Sequence, residues 1–249
     1  MSDDSQKILP ILKARPADLA AHALVVGDPD RAAAAADLLD NAQEVGHFRE
    51  FRTFTGTYQG KRITISSHGV GVSGASVCFE ELFQGGVKTI IRAGTCGAMK
   101  AGIKDGDSII GTGAIREDGT SPDLLPLAYP AIADRRVTAA LVEAAQAQGY
   151  AEPHEGIVLT KAFFYEGVLP SSVGQWLEIG ANVVCIEMEF ATLLVIASLR
   201  GARAGGLFTS DGNMTEEPDP LTYDPHRTVV KQGVETMLKV ALSALAQLD

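Results

Sequence analysis

Several things are scarce in this chain of 249 residues, and each scarcity excludes a class of function. No apolar run approaches the length needed to cross a bilayer, so no membrane-spanning helix is expected. Cationic side chains are in deficit, 21 Lys and Arg against 31 Asp and Glu, for a formal net charge of −10. Nucleic acid and anionic membranes are bound through clustered Lys and Arg, so neither is the expected partner, and any anion must find a local site. Cysteine is sparse as well: Cys78, Cys96 and Cys185 are odd in number and far apart, which fits neither a disulfide framework nor paired zinc ligands. Reduced thiols and no metal site are expected. The start MSDDSQK is acidic where a secretory leader would be basic, so the expected compartment is the cytoplasm. Repeats, low-complexity tracts and dividing linkers are lacking too, so residues 1–249 are expected to form one domain.

What is present is alternation. His22 to Asp40 reads as an apolar strand, a turn at Gly27 and Pro29, and an alanine-rich helix. KRITISSHGVGVSGASVCFEELFQGG repeats the shape, with a glycine-rich turn from Gly69 to Gly74 and a helix ended by Gly85 and Gly86. KTIIRAGTCGAM reads as a strand followed by a turn through Gly94, Thr95 and Gly97, and GDSIIGTGAI as another strand. Further on come the helix RRVTAALVEAAQAQG, the strand GIVLTKAFF, the strand and strongly apolar helix of VVCIEMEFATLLVIASLRG, the strand and turn of ARAGGLFTSDG, and an amphipathic closing helix. This order predicts a three-layer α/β/α fold around a central mixed sheet, with ligands collecting where strands end.

The residues with chemical potential fall at such ends. Arg31 follows the first turn, Arg92 and Thr95 occupy the third, Glu187 and Glu189 flank Met188, and Asp211 follows the last long strand. An arginine beside glycine N–H groups suits an oxyanion, yet it also suits a local carboxylate partner, and both readings stand. Glu187 and Glu189, two apart, point to opposite sides if extended, so one contact to a given ligand is expected. Phe164 fits a core position, Asp211 an ordinary turn, and His68 a buried, hydrogen-bonded histidine. Cys96 has no His partner and reads as a small residue packed in a turn.

The ordered set VVGDPDR, HFREF, HGVG, CFEEL, IIRAGTCG, IREDG, CIEMEFATLLVIASLR and SDGN resembles the nucleoside phosphorylase family of hexameric purine nucleoside phosphorylases and uridine phosphorylases, and among them most resembles the apicomplexan purine enzymes. The resemblance implies a nucleoside phosphorylase-like fold and phosphate-dependent cleavage of a purine nucleoside, with no cofactor and with inorganic phosphate as co-substrate. It implies phosphate binding by Gly27, Arg31, Arg92 and Thr95, with Arg49 of HFREF lent to a neighbouring subunit. Met188 and Glu189 would line the ribose. Phe164, Cys96, Gly97, Glu187 and Asp211 would line the base, with Asp211 giving the leaving base its proton. Sharing of Arg49 implies at least a dimer, and a homohexamer in full.

Two departures bear on the substrate. A histidine that reaches a neighbour's ribose 5′ hydroxyl in many relatives is replaced here by Ile11, which suits a 5′-deoxy or 5′-methylthio sugar. EGVLPSSVGQW after Phe164 lacks the Gln-x-Arg pair of uridine phosphorylases, while TEEPDPLTYDPH is expected to be a mobile lid. Uridine phosphorylase, a phosphorylase of 5′-modified nucleosides and a catalytically silent nucleoside-binding protein are the alternatives. A water-using nucleosidase fits less well, since relatives of that type lack the arginines that Arg31, Arg49 and Arg92 represent.

Overall fold

Runs of β-branched and small apolar residues form the strands at the centre of the molecule. In the computed structural model, which describes residues 8–165, 167–216 and 223–249, β1 (His22–Val26) is buried at every position. The acidic start 1–7 and residues 217–222 of the expected lid lie outside the described residues. After β1 come α1 (Pro29–Ala36), β2 (Asp40–Phe48), β3 (Phe51–Tyr58), β4 (Lys61–Ser67), α2 (Val72–Gln84) and β5 (Thr89–Ala98). Then follow β6 (Ser108–Glu117), α3 (Ser121–Leu124), β7 (Ala131–Ile132), α4 (Arg135–Ala147), β8 (His154–Lys161) and α5 (Val173–Ile179). The chain closes with β9 (Val183–Glu187), α6 (Phe190–Leu199), β10 (Arg203–Asn213) and α7 (Thr228–Gln247).

The ten strands make one mixed sheet in the order β2-β3-β4-β1-β5-β10-β6-β8-β9, with β7 on β6, and β9 returns to pair with β5. One apolar core lies under α2 and α6 and a second under α1, α4 and α7, giving the expected three layers. Helix α6 has no polar stripe because it needs none: Phe190 through Ala197 are all buried between α2 and the sheet. Asp28 and Asp134 cap α1 and α4 by accepting backbone N–H groups. No helix of the described residues is long and apolar enough to cross a membrane.

Two expected turns are strand instead. β5 and β10 pair in parallel along their whole lengths, Thr89 with Arg203 through Ala98 with Asn213, so Gly94, Thr95 and Gly97 lie in an unbroken strand. Asp211 likewise lies within β10, at an irregularity where the register shifts between Ser210 and Gly212. The glycines answer a demand for space rather than for a turn. A Cβ at Gly94 would stand 2.3 Å from Arg92 Nη1, so glycine there lets the guanidinium lie back over the strand. The sequence pattern does not predict the hairpin of β2 and β3, because β2 is an edge strand exposed at seven of its nine positions and carries no alternation.

The sheet also makes the cleft. β1 accompanies β5 only as far as the pair Val25 and Arg92, and β9 meets the same edge at Gly97 and Ala98. Between those contacts that edge of β5 is open, the switch point at which such sheets gather ligands.

Candidate active site

Arg92 fills this opening. It is 4 % exposed, lies 5.5 Å from the centre of the Phe208 ring, and spends one edge of its guanidinium on two carboxylates. Nε donates to Glu187 Oε2 at 3.1 Å, and Nη2 reaches the same oxygen at 3.0 Å and also Glu189 Oε2. Nη1 makes no hydrogen bond among the described residues. The expectation that Glu187 and Glu189 point apart is therefore corrected. Glu187 ends β9, the chain turns at Met188, and Glu189 stands at the N-cap of α6 with ψ of −12°, so the two carboxylates converge.

Glu187 owes its place to four kinds of donor. Its carboxylate accepts from Thr160 Oγ1 at 2.7 Å, from the N–H of Glu189 at 2.8 Å, from the N–H of Phe190 at 2.9 Å, and from Arg92. It thus caps the α6 N-terminus from outside the helix. Burial pushes its carboxyl upward against the pull of Arg92. For Glu189, burial also acts upward, but Arg92 and the Gly71 N–H at 2.6 Å outweigh it and hold the carboxyl below its ordinary value. Gly71 presents that N–H from φ of +89°, a backbone setting that disfavours a side chain, at the N-cap of α2.

His68 is only half satisfied. Nδ1 meets the Gly69 carbonyl at 2.8 Å, whereas Nε2 is buried with no partner among the described residues, and burial with the nearby charge of Arg92 pushes the ring's pKa down to about 4. Its Cε1 lies 3.9 Å from where a Cβ at Gly27 would stand, which brings Gly27 into the same neighbourhood. Arg31, in the first turn of α1, is half-buried; burial lowers its pKa, and its field includes Arg92, Asp28 and Asp211.

Asp211 is 5 % exposed, and burial raises its carboxyl to about 6, against an opposing pull from the nearby Tyr223 and Thr95 hydroxyls. A carboxyl poised there can carry a proton near neutrality, which an ordinary turn aspartate cannot. Cys96 sits opposite Ser210 in the β5–β10 pair, buried, its thiol driven well above the usual range by burial with the Cys185 thiol beside it. That suits an inert wall residue. Gly97 leaves room for Ile186 and Met214, and Met188 is half-buried at the β9–α6 turn. Phe164 is 62 % exposed, which rules out the core reading, and its ring lies 6.0 Å from that of Tyr223.

Two residues stand apart from this group. Arg49, at the β2–β3 hairpin tip with φ of +55°, is exposed, its guanidinium 5.1 Å from the Phe48 ring, and makes no hydrogen bond or ion pair with the cluster among the described residues. Ile11 packs against its own core, and its N–H donates to Glu81 at 3.0 Å. Sequence reasoning missed Tyr223 and Thr160. Tyr223 lies in an irregular stretch with no pattern to mark it, while Thr160 looks like any strand threonine.

A family model described as "Phosphorylase superfamily" matches residues 21–246. Over 242 residues the chain is 36 % identical to a guanosine phosphorylase of Halorubrum lacusprofundi, covering 96 % of this chain and 98 % of that protein. It is 37 % identical to a uridine phosphorylase of Haemophilus influenzae, covering 89 % and 90 %. The crystal structure of a purine nucleoside phosphorylase from Toxoplasma gondii in complex with immucillin-H superposes with a TM-score of 0.91 at 34 % identity, over 97 % of this chain and 96 % of that one.

Proposed function

The chain belongs to the phosphorylase superfamily, and from that premise we propose that it is a purine nucleoside phosphorylase, an enzyme that transfers a pentosyl group from a purine base to inorganic phosphate. The observation that carries this reading is the division of labour in Arg92. Its Nε and Nη2 edge is anchored to Glu187 and Glu189, while Nη1 remains for a ligand, with the cation of Arg31 in the same field.

In this reading Gly27, Arg31, Arg92 and Thr95 receive phosphate, and Arg49 of a second subunit completes the site. Glu189 accepts the ribose 2′ and 3′ hydroxyls beside Met188, and Phe164 with Tyr223 stacks on the base, flanked by Cys96, Gly97 and Glu187. The reaction breaks the bond between C1′ and the base, whose electron pair leaves with the base. The proton of Asp211 passes to purine N7, and a phosphate oxygen forms the new bond to C1′. Charge develops as cation on the sugar and anion on the base, so an acid at one end and bound phosphate at the other stabilise the transition state. No protein nucleophile takes part in these steps, and nucleoside and phosphate are the only reactants. The reading includes one domain carrying the reaction, a cytoplasmic setting in keeping with three free buried cysteines, and a homohexamer built of dimers that share sites. The exposed hairpin tip that carries Arg49 supports sharing.

The test is base release from inosine, guanosine, adenosine, methylthioadenosine and uridine, each with and without phosphate. Purine release that requires phosphate is the expected result. Uracil release alone would assign the protein to the uridine phosphorylases of the same superfamily, and a preference for methylthioadenosine would explain Ile11. Release without phosphate would make it a hydrolase, and no release at all a binding protein.

A further inference from the structure

The connection from β8 to α5 carries Phe164, yet its own side chains do little to hold it: Phe163, Phe164, Tyr165, Val168 and Leu169 are all exposed. What holds its two ends is one carboxylate. Glu117 and Lys161 are the last pair of the parallel β6–β8 register, and the ammonium of Lys161, a residue 7 % exposed, donates to Glu117 Oε2 at 2.8 Å and to Ser172 Oγ at 3.1 Å. The Ser172 hydroxyl donates to the same Glu117 oxygen, and Trp176 Nε1 of α5 donates to Glu117 Oε1 at 2.9 Å. We infer that Glu117 is a positioning residue for the base: by gathering Lys161 and Ser172 it fixes both ends of the connection, and so sets where Phe164 stands. The inference rests on the purine nucleoside phosphorylase reading and on Phe164 as its stacking residue.

A buried ammonium must be paired, and the pair must stay charged to hold. Burial pushes the Glu117 carboxyl up, but the donors Lys161, Ser172 and Trp176 outweigh it and keep the carboxyl below its ordinary value. Drawing the ends together on one oxygen removes freedom from the connection between them. Lys161 reaches further still, its ammonium 5.0 Å from the centre of the ring of Phe163, the residue before Phe164. Phe164 then lies 6.0 Å from Tyr223, whose ring edge stands against Gly212, next to Asp211. Successive residues at the end of β8 therefore serve the two halves of the site: Thr160 donates to Glu187, the anchor of Arg92, and Lys161 holds the base side. Helix α5 has a separate seat, since Val173, Trp176 and Leu177 join an apolar cluster with Leu159 and Val183, so it stays packed when the clamp is cut.

The experiment is a double-mutant cycle read on KM, with the wild type, Glu117→Gln, Phe164→Ala and the double variant, varying inosine at saturating phosphate and phosphate at saturating inosine. Glu117→Gln keeps the shape and loses the charge. It is expected to raise the inosine KM about tenfold, to leave the phosphate KM unchanged, and to add nothing further once Phe164 is alanine. Ser172→Ala removes one hydroxyl and spares the ion pair, and is expected to raise the same KM about threefold, a second reading that does not depend on how well the glutamine variant folds. If neither variant moves the inosine KM, if the phosphate KM rises as much, or if Glu117→Gln costs as much in the Phe164→Ala background, the Glu117 inference is overturned while the functional reading stands. If the wild type needs no phosphate, or Phe164→Ala leaves the inosine KM unchanged, the functional reading fails at phosphate or at the base, and this inference falls with it.

Discussion

Arg92 and Arg116 are two buried arginines on strands of one sheet, 4 % and 6 % exposed, and they are satisfied in different ways. Arg116, from the IREDG stretch, gives all five of its N–H groups to neutral acceptors: Nε to Ser121 Oγ at 3.1 Å, and the terminal nitrogens to the carbonyls of Ser121, Leu125, Pro126 and Tyr129 at 2.6 to 2.7 Å. It ties the 121–129 segment to the end of β6 and has nothing left to offer. Arg92 has two carboxylates on one edge and, on the other, a nitrogen with no hydrogen bond among the described residues. Burial of a cation therefore marks no site by itself. The partner set does, because a fork closed by main-chain carbonyls holds structure, whereas one half-closed by carboxylates keeps a donor for an incoming anion.

Reciprocal lysine substitutions break this comparison most forcefully. Arg92→Lys keeps the charge but loses the planar fork, and should lower kcat/KM for phosphorolysis by about a hundredfold or more. Steady-state kinetics read it directly. Arg116→Lys cannot reach five acceptors and should lose about 3 kcal/mol of stability in denaturant unfolding, with activity per folded molecule changed only a few-fold. If the lysine at 116 cost activity and the lysine at 92 cost only stability, the distinction would be wrong.

His68 sharpens the picture at the next scale, since burial and the Arg92 cation keep it neutral. Its folded pKa of about 4 lies below the ordinary 6.5, so the unfolded chain binds the proton more readily. The stability this linkage controls is fully present above pH 6.5, falls as the pH drops toward about 4, and amounts to about 3 kcal/mol at most. His68→Gln should flatten the stability curve in that window, measured by urea unfolding at a series of pH values. Glu187→Gln is the mildest change: it keeps the shape but weakens the anchor of Arg92, and about a tenfold rise in phosphate KM is expected from initial rates.

How much of this was legible depended on what kind of constraint each residue answers. Burial on both faces leaves apolar runs that can be read directly, which is why β1, β5, α6 and the three-layer order were visible. Glycine signals two things, a turn or a close approach, and at Gly94 the second applies because the Arg92 side chain needs the room. Spacing placed Glu187 and Glu189 on opposite sides only so long as the chain stayed extended, and the turn into α6 brings them together. IREDG and IIRAGTCG look alike as sequence, an arginine near glycine at a strand end, and only their acceptors separate them. Tyr223 carries no periodic signal, since its position depends on contacts with Gly212 and Phe164 that are remote in sequence or irregular in backbone.

The most direct test of the central claim is the dependence of purine release on phosphate concentration in the wild type and Arg92→Lys at fixed inosine. Saturable dependence, with no release at zero phosphate and a phosphate KM raised at least tenfold in the variant, is the outcome that Arg92 as phosphate holder predicts. Release of base at the same rate with and without phosphate, or an unchanged phosphate KM in Arg92→Lys, would contradict it.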